Sequence, residues 1–420
     1  MPPNVQTPKK SEYVSRTFES IMLTGTPESS RRKPSSSDSN QKEATTIDDI
    51  RGKRAESAIL TGTKESSEDS SFAHQKEPKP IVINGRSVIH SVAFLDDGKR
   101  VISGSSEGKI RRWRMEDGRE VGTPMDARSV VSNIAVSRDE KWIVSVTRSG
   151  LVTVWNAENH SKVTEWKAHN GWVDAVDVSS DGTRIATGSN DQTVCVWSLF
   201  TGKRLLGPFK HDGWVAAVKF SPNGRLIATA GAWHGVRVYD SRNGGLLVKL
   251  PVEVYSALNQ SLAWASDSKQ LFALSRDGNI HCLDVSTGTT LSKWAIHSSM
   301  NAMCIALASN GTFVAACANS SISFWDTATH EQIGSVIKYT HNIWCMALSA
   351  NYDLVVGGGQ TITIRGLSDI LPYHYLHNVC VREKPQVRLL SNRNPLRYHD
   401  SLLIQDDGPS TFICTPITTF

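Results

Sequence analysis

From about residue 79 onward, apolar and polar positions alternate in short runs, as over residues 173–178, 184–188 and 193–197. A two-residue period turns one face of each run toward a core and predicts β-strands rather than helices. Tight turns separate the runs. Asp97-Gly98, Asp181-Gly182, Asn223-Gly224 and Asn310-Gly311 supply the positive-φ residues that short hairpin turns need. The arrangement repeats: a β-branched run ends on an aromatic at Trp113, Trp155, Trp197 and Tyr239, each 42 residues after the last. Leu283 follows 44 residues later, Trp325 another 42, and Arg365 another 40, at the end of Thr361-Ile362-Thr363-Ile364. The chain therefore holds seven units of about 42 residues.

Seven units of four short strands predict an all-β fold, a seven-bladed β-propeller of four-stranded antiparallel blades over residues 79–370. The units fall at about 86–125, 126–167, 168–209, 210–251, 252–295, 296–337 and 338–370. The last unit has no fourth strand of its own, because Pro372 and a His/Tyr-rich segment follow it. Lys79-Pro80-Ile81-Val82-Ile83 are expected to supply that outer strand and remove the open edges. Residues 371–420 show no period and predict an irregular C-terminal extension.

The unit resembles the WD repeat of the WD40 β-propeller family. Ile185-Ala186-Thr187-Gly188-Ser189-Asn190-Asp191, Val196-Trp197 and Phe220-Ser221-Pro222-Asn223-Gly224 carry the resemblance, which covers about residues 79–370. It implies a buried network of His, Ser or Thr, Asp and Trp in each blade. Blade 3 has the full set in His169, Thr187, Asp191 and Trp197. Elsewhere the set decays. The Asp position reads Glu107, Ser149, Trp233, Asn319 and Gly359, and the Ser/Thr position reads Ala273, Ala315 and Val355 in blades 5 to 7. The repeats also resemble fungal WD40 scaffold proteins and the arrays at the C-termini of large fungal nucleotide-binding signalling proteins.

Composition changes the picture mainly at the ends. Residues 1–78 are rich in Ser, Thr, Lys and Glu with few large apolar side chains, so they cannot bury enough surface to offset chain entropy and are expected to be a disordered tail. That tail contains a duplication: residues 19–30 (ESIMLTGTPESS) recur as residues 56–67 (ESAILTGTKESS). Thr26-Pro27 and Arg32-Lys33-Pro34-Ser35 resemble modification sites. The net charge of +5 is small for 420 residues and argues against nucleic-acid binding. All seven cysteines lie after residue 190 without a Cys-x-x-Cys pair, which predicts buried reduced thiols. With no apolar leader and no membrane-length apolar run, a cytoplasmic or nuclear location is expected.

Patterns that mimic catalysis do not survive their context. Gly104-Ser105-Ser106-Glu107-Gly108 has nucleophile-elbow spacing but lies between two strands, where that motif needs a strand-to-helix turn. His374, His377 and Cys380 offer three metal ligands and no fourth. No phosphate-binding loop exists. The expectation is a non-enzyme with no cofactor, no metal, no small-molecule substrate and no membrane contact, monomeric or part of a larger complex.

Binding is expected at the top face, where the loops before the first strand and between the second and third strands of each blade surround the channel. Alignment places Trp172, Trp214 and Trp344 before first strands, and Trp233, Arg148 and Arg276 in the hairpin loops. Trp and Arg dominate binding hot spots, so these six are the candidate contacts for a peptide or protein partner. The Arg111-Arg112-Trp113-Arg114 run of blade 1 reads as an ion-paired strand, with a phosphate or acidic-peptide site as its alternative. Tyr239-Asp240-Ser241-Arg242 resembles a box for docking on a cullin-ring ubiquitin ligase adaptor, with Asp240 and Arg242 as its carriers. The working reading is an interaction scaffold. Its alternatives are a ligase substrate receptor and an in-trans partner of a nucleotide-binding signalling protein.

Overall fold

The computed structural model describes residues 79–376, apart from 96–97, 232–234, 251, 253–260, 276, 297–301 and 369. Within them lie seven four-stranded antiparallel sheets, one for each repeat, forming a seven-bladed propeller. Blade 3 shows the common plan: Val173–Val178, Arg184–Ser189, Thr193–Ser198 and Arg204–Lys210 pair in sequence order from the channel outward. Blade 7 departs from it. Ile81–Asn84 pairs antiparallel with Thr361–Gly366, Ile81 opposite Ile364 and Asn84 opposite Thr361, so the outermost strand of the last blade comes from the start of the described residues.

The core is divided among the seams between blades. Seven hydrophobic clusters each join two successive blades. The cluster between blades 7 and 1 contains Ile83, Ile89, Val92, Val101, Trp113, Cys345, Val355, Ile362 and Ile364. The period-two pattern explains this, because each sheet buries both faces against its neighbours.

Approach of neighbouring blades also dictates a small residue near the channel. A Cβ on Gly104 would lie 2.6 Å from Val131, and one on Gly188 2.6 Å from Val215. A Cβ on Gly357 would meet Ile89 at 2.8 Å. These three glycines mark equivalent positions in blades 1, 3 and 7.

Two sequence expectations are corrected. Cys304 and Cys317 are not reduced thiols: the sheet register sets them opposite each other, Cα–Cα 5.4 Å, and they form a disulfide. Cys195, Cys282 and Cys345 are free and buried. The Ser/Thr positions of blades 6 and 7 are Ala316 and Val356, one residue later than the sequence alignment places them. Val314 pairs with Trp325 and Leu354 with Arg365, as Ile185 pairs with Trp197. Residues 371–376, which begin the expected irregular extension, pack on the propeller. Tyr373–Leu376 forms a single helical turn, Tyr375 donates its hydroxyl to Asp326 at 2.8 Å, and Leu371 and Leu376 join the blade 6–7 cluster.

Candidate functional site at the channel rim

The inner strands of blades 1 to 4 and of blade 6 carry an extra residue near their start. The pairing skips His90, Ser132, Asp174 and Ala216 in blades 1 to 4, leaving each as a bulge. In blade 7, Cys345 pairs with Gly357 just as Ser91 pairs with Gly104 and Ala175 with Gly188. Trp344 therefore stands on the rung of His90 and Asp174. It lies two residues inward of the position shared by Trp172 and Trp214, which Asn342 occupies in blade 7, and this corrects the sequence alignment.

These side chains form a run across the rim. The Trp344 and His90 rings stack at 5.5 Å, across the seam where the ring closes. The Arg148 guanidinium lies over the Trp172 ring, 4.8 Å from its centre. Trp214 donates its indole N–H to the Asp174 carboxylate at 2.6 Å. Beneath them, Ser91 donates to Asn133 Oδ1 at 2.9 Å, and Asn133 Nδ2 donates to the Asp174 carbonyl at 3.3 Å, so blades 1 to 3 are tied by side chains at the channel. Trp172, Trp214, Trp344 and Arg148 are all half-buried, leaving part of each surface open.

Electrostatics at the rim are shifted. Burial, with the Arg148 charge adding to it, pushes the His90 imidazole down to about 3, so His90 is a neutral ring at physiological pH. Burial pushes the Asp174 carboxyl up to about 6, against the opposing effects of the Trp214 hydrogen bond and the Arg148 charge. Folding thus favours protonated Asp174, and the stability it contributes in acid is lost as pH rises through about 6.

Trp233 and Arg276 lie outside the described residues, as do His377 and Cys380. Sequence alignment missed His90 and Asp174, although His90, Ser132, Asp174 and Ala216 stand 42 residues apart.

The blade 3 residues meet as a relay. His169 Nδ1 lies 3.1 Å from Asp191 Oδ2 and its Nε2 lies 2.7 Å from Thr187 Oγ1, which accepts the Trp197 indole N–H at 2.9 Å. Burial opposes ionisation of Asp191, but hydrogen bonds from His169 and Thr193 outweigh it and hold the carboxyl below its usual range. His169, Thr187 and Trp197 are buried. Blades 1 and 2 keep half of the relay, with Trp113 donating to Ser103 and Trp155 to Ser145, both at 2.8 Å. In the elbow-like motif, Gly104 and Ser105 end one strand, Lys109 begins the next, and the Ser106 hydroxyl is hydrogen-bonded to Ser87 at 2.7 Å.

The basic run of blade 1 is also internal. Arg111 pairs with Glu107 and with Glu120, and Arg112 donates to the Ala157 carbonyl of blade 2 at 2.7 Å. Arg242 is exposed and paired with Asp240 at 2.7 Å, which holds the Asp240 carboxyl down to about 2. Among the described residues no cluster of His, Cys, Asp and Glu could hold a metal, and no helix is long and apolar enough to cross a membrane.

Residues 80–114, 160–198, 203–240 and 288–326 match the family described as WD domain, G-beta repeat. The chain carries WD40 repeats. Each matched WD40 stretch runs from the outer strand of one blade through three strands of the next, so every repeat straddles a seam. Among solved structures, the WD40 beta propeller domain of Doa1 is similar, with 20% sequence identity and a TM-score of 0.58 over 66% of this chain and 92% of that one. At that identity the likeness concerns the fold. No curated protein matches the chain. WD40 propellers are in general non-catalytic scaffolds that bind proteins or peptides.

Proposed function

We propose that the chain is a non-catalytic interaction scaffold and that a peptide or protein partner docks on the channel rim. One observation carries this reading: the half-buried side chains Trp344, Arg148, Trp172 and Trp214 line the rim in blades 7, 2, 3 and 4, each held by a contact, to His90, to one another or to Asp174. Partly open Trp and Arg on one concave surface are the side chains that yield most on desolvation by a partner. Trp233 and Arg276 extend the proposed contact set into blades 4 and 5.

The test compares proteins captured by the wild type and by a Trp172→Ala, Trp344→Ala variant whose melting temperature is unchanged. A rim partner should lose at least about 2 kcal/mol of affinity, roughly thirtyfold, and drop out of the captured set. An unchanged set would remove the rim from consideration. A second reading, docking on a cullin-ring ligase adaptor, rests on the exposed Arg242 guanidinium at the opposite face. Selective loss of adaptor components with Arg242→Ala would favour it.

A further inference from the structure

The outer strands of blades 2 to 5, Lys162–Lys167, Arg204–Lys210, Leu246–Leu250 and Thr289–Ala295, share one irregularity. Pairing with the third strand skips Val163, Leu205, Leu247 and Leu291, which stand 42, 42 and 44 residues apart. A bulge re-aims the side chain of its extra residue, and these four are 44–54% exposed. The row has two ends. Blade 6 passes the same rung without a skip, Trp325 opposite Gln332 and Phe324 opposite Ile333, and the outer strand of blade 1 is only Met125–Asp126. Of the eight large apolar side chains exposed among the described residues, six lie on this arc, the four bulge residues with Phe200 and Leu246. Folding gains nothing from an apolar side chain left in water, and apolar surface gathered on one sector marks an interface.

Charge along the arc is uneven. Blade 3 presents Lys203, Arg204 and Lys210, all exposed, with no ion pair among the described residues and no carboxylate on its outer strand. Blade 5 presents Asp284, whose carboxylate is bonded among the described residues only to Ser286 and Thr287 of its own turn. Arg204 stands opposite Trp197 and Thr289 opposite Asp284, so the cations beside Leu205 and the carboxylate near Leu291 lie at the same end of their blades. Blade 4, between them, exposes two leucines, Leu246 and Leu247, and its Asp240 and Arg242 charges pair with each other. Such an arc complements itself. A two-fold axis parallel to the channel and passing beside Leu247 sets blade 4 of one copy against blade 4 of the other, and each blade 3 against a blade 5. Apolar side chains then meet at the centre and opposite charges at both ends, an apolar core within a polar rim.

We propose that the outer arc of blades 3 to 5 is the interface of a homodimer. Leu247 packs on its own symmetry mate, Leu205 packs on the partner's Leu291, and Lys203 and Arg204 face the partner's Asp284. The arc lies on the side of the propeller, so the dimer leaves the channel rim of each copy open.

Sedimentation equilibrium of the full chain tests it. At about 50 µM the wild type should reach twice the chain mass. Leu247→Glu places two carboxylates on the axis and should weaken association at least about thirtyfold, with circular dichroism unchanged because the side chain is exposed in the monomer. Lys203→Glu and Asp284→Lys should each weaken association about tenfold, and the two together should recover most of that loss, because the exchanged charges attract again across the axis. A monomeric wild type, a dimer indifferent to Leu247→Glu, or a double variant no tighter than Lys203→Glu alone would overturn the proposal. The captured-protein set of the rim experiment should be unchanged by Leu247→Glu, so failure of one reading leaves the other standing.

Discussion

Blades 3 and 7 have the same four-stranded plan and are held together by different means. Blade 3 threads a relay of His169, Asp191, Thr187 and Trp197 through its interior. In blade 7, register puts Val356 where Thr187 stands and Arg365 where Trp197 stands, while Tyr339 precedes Asn342 by the three residues that separate His169 from Trp172. None of the relay's bonds can form there. The Tyr339 hydroxyl and Arg365 Nε have no hydrogen-bond partner among the described residues, and burial pushes the Tyr339 phenol up to about 12. Blade 7 has instead a strand, Ile81–Asn84, borrowed from ahead of blade 1. Blade 3 thus has a buried polar network where blade 7 has a non-local strand pairing.

The largest blow to this contrast is Ile83→Asp. It places an unpaired charge at a buried position of the borrowed strand and should cost about 4 kcal/mol or more, read as a large fall in melting temperature. If Ile83→Asp melts like the wild type, the borrowed strand does not hold blade 7. Thr187→Val should cost about 2 kcal/mol, because it strands the Trp197 N–H and His169 Nε2 together. Combining it with His169→Ala should cost less than the sum, and strict additivity would deny that the relay is a unit. The reverse change in blade 7, Val356→Thr, buries a hydroxyl with no relay to join and should destabilise by about 1 kcal/mol. A gain in stability would show that blade 7 retains a latent network. The smallest effect is in acid. The Asp191 carboxyl is depressed, so its contribution is full above the ordinary carboxyl range and declines as pH falls below about 4, by less than about 1 kcal/mol per pH unit. Asp191→Asn should flatten that part of the stability profile.

Much of this was legible in the residues, for reasons that also explain the misses. Trp113, Trp155, Trp197 and Tyr239 keep their spacing because each closes the third strand of a blade, where a lost residue would flip every side chain to the wrong face. The hairpins of blades 6 and 7 are one residue shorter than that of blade 3, running from Ala318 to Ser321 and from Gly358 to Thr361 where blade 3 runs from Ser189 to Thr193. Alignment by length therefore slid to Ala315 and Val355. Trp344 was misplaced because a bulge leaves no mark in the apolar pattern: His90, Ser132, Asp174 and Ala216 share a rung and no chemistry. The Cys304–Cys317 bond escaped notice because two cysteines thirteen residues apart become neighbours only when a hairpin sets them in register.

The pairing of Ile81 with Ile364 has a consequence for the order of events during synthesis. At about 5–20 residues per second, a ribosome needs roughly 15–60 s to make the chain between those two residues. Throughout that interval the first strand has left the exit tunnel with no partner, while successive blades assemble behind it. Its apolar residues Ile81 and Ile83 must be kept from foreign strands until the last repeat emerges. A nascent chain stalled before residue 361 would expose an open edge at each end of an unfinished ring, and such stalled chains should be the species that chaperones hold most persistently.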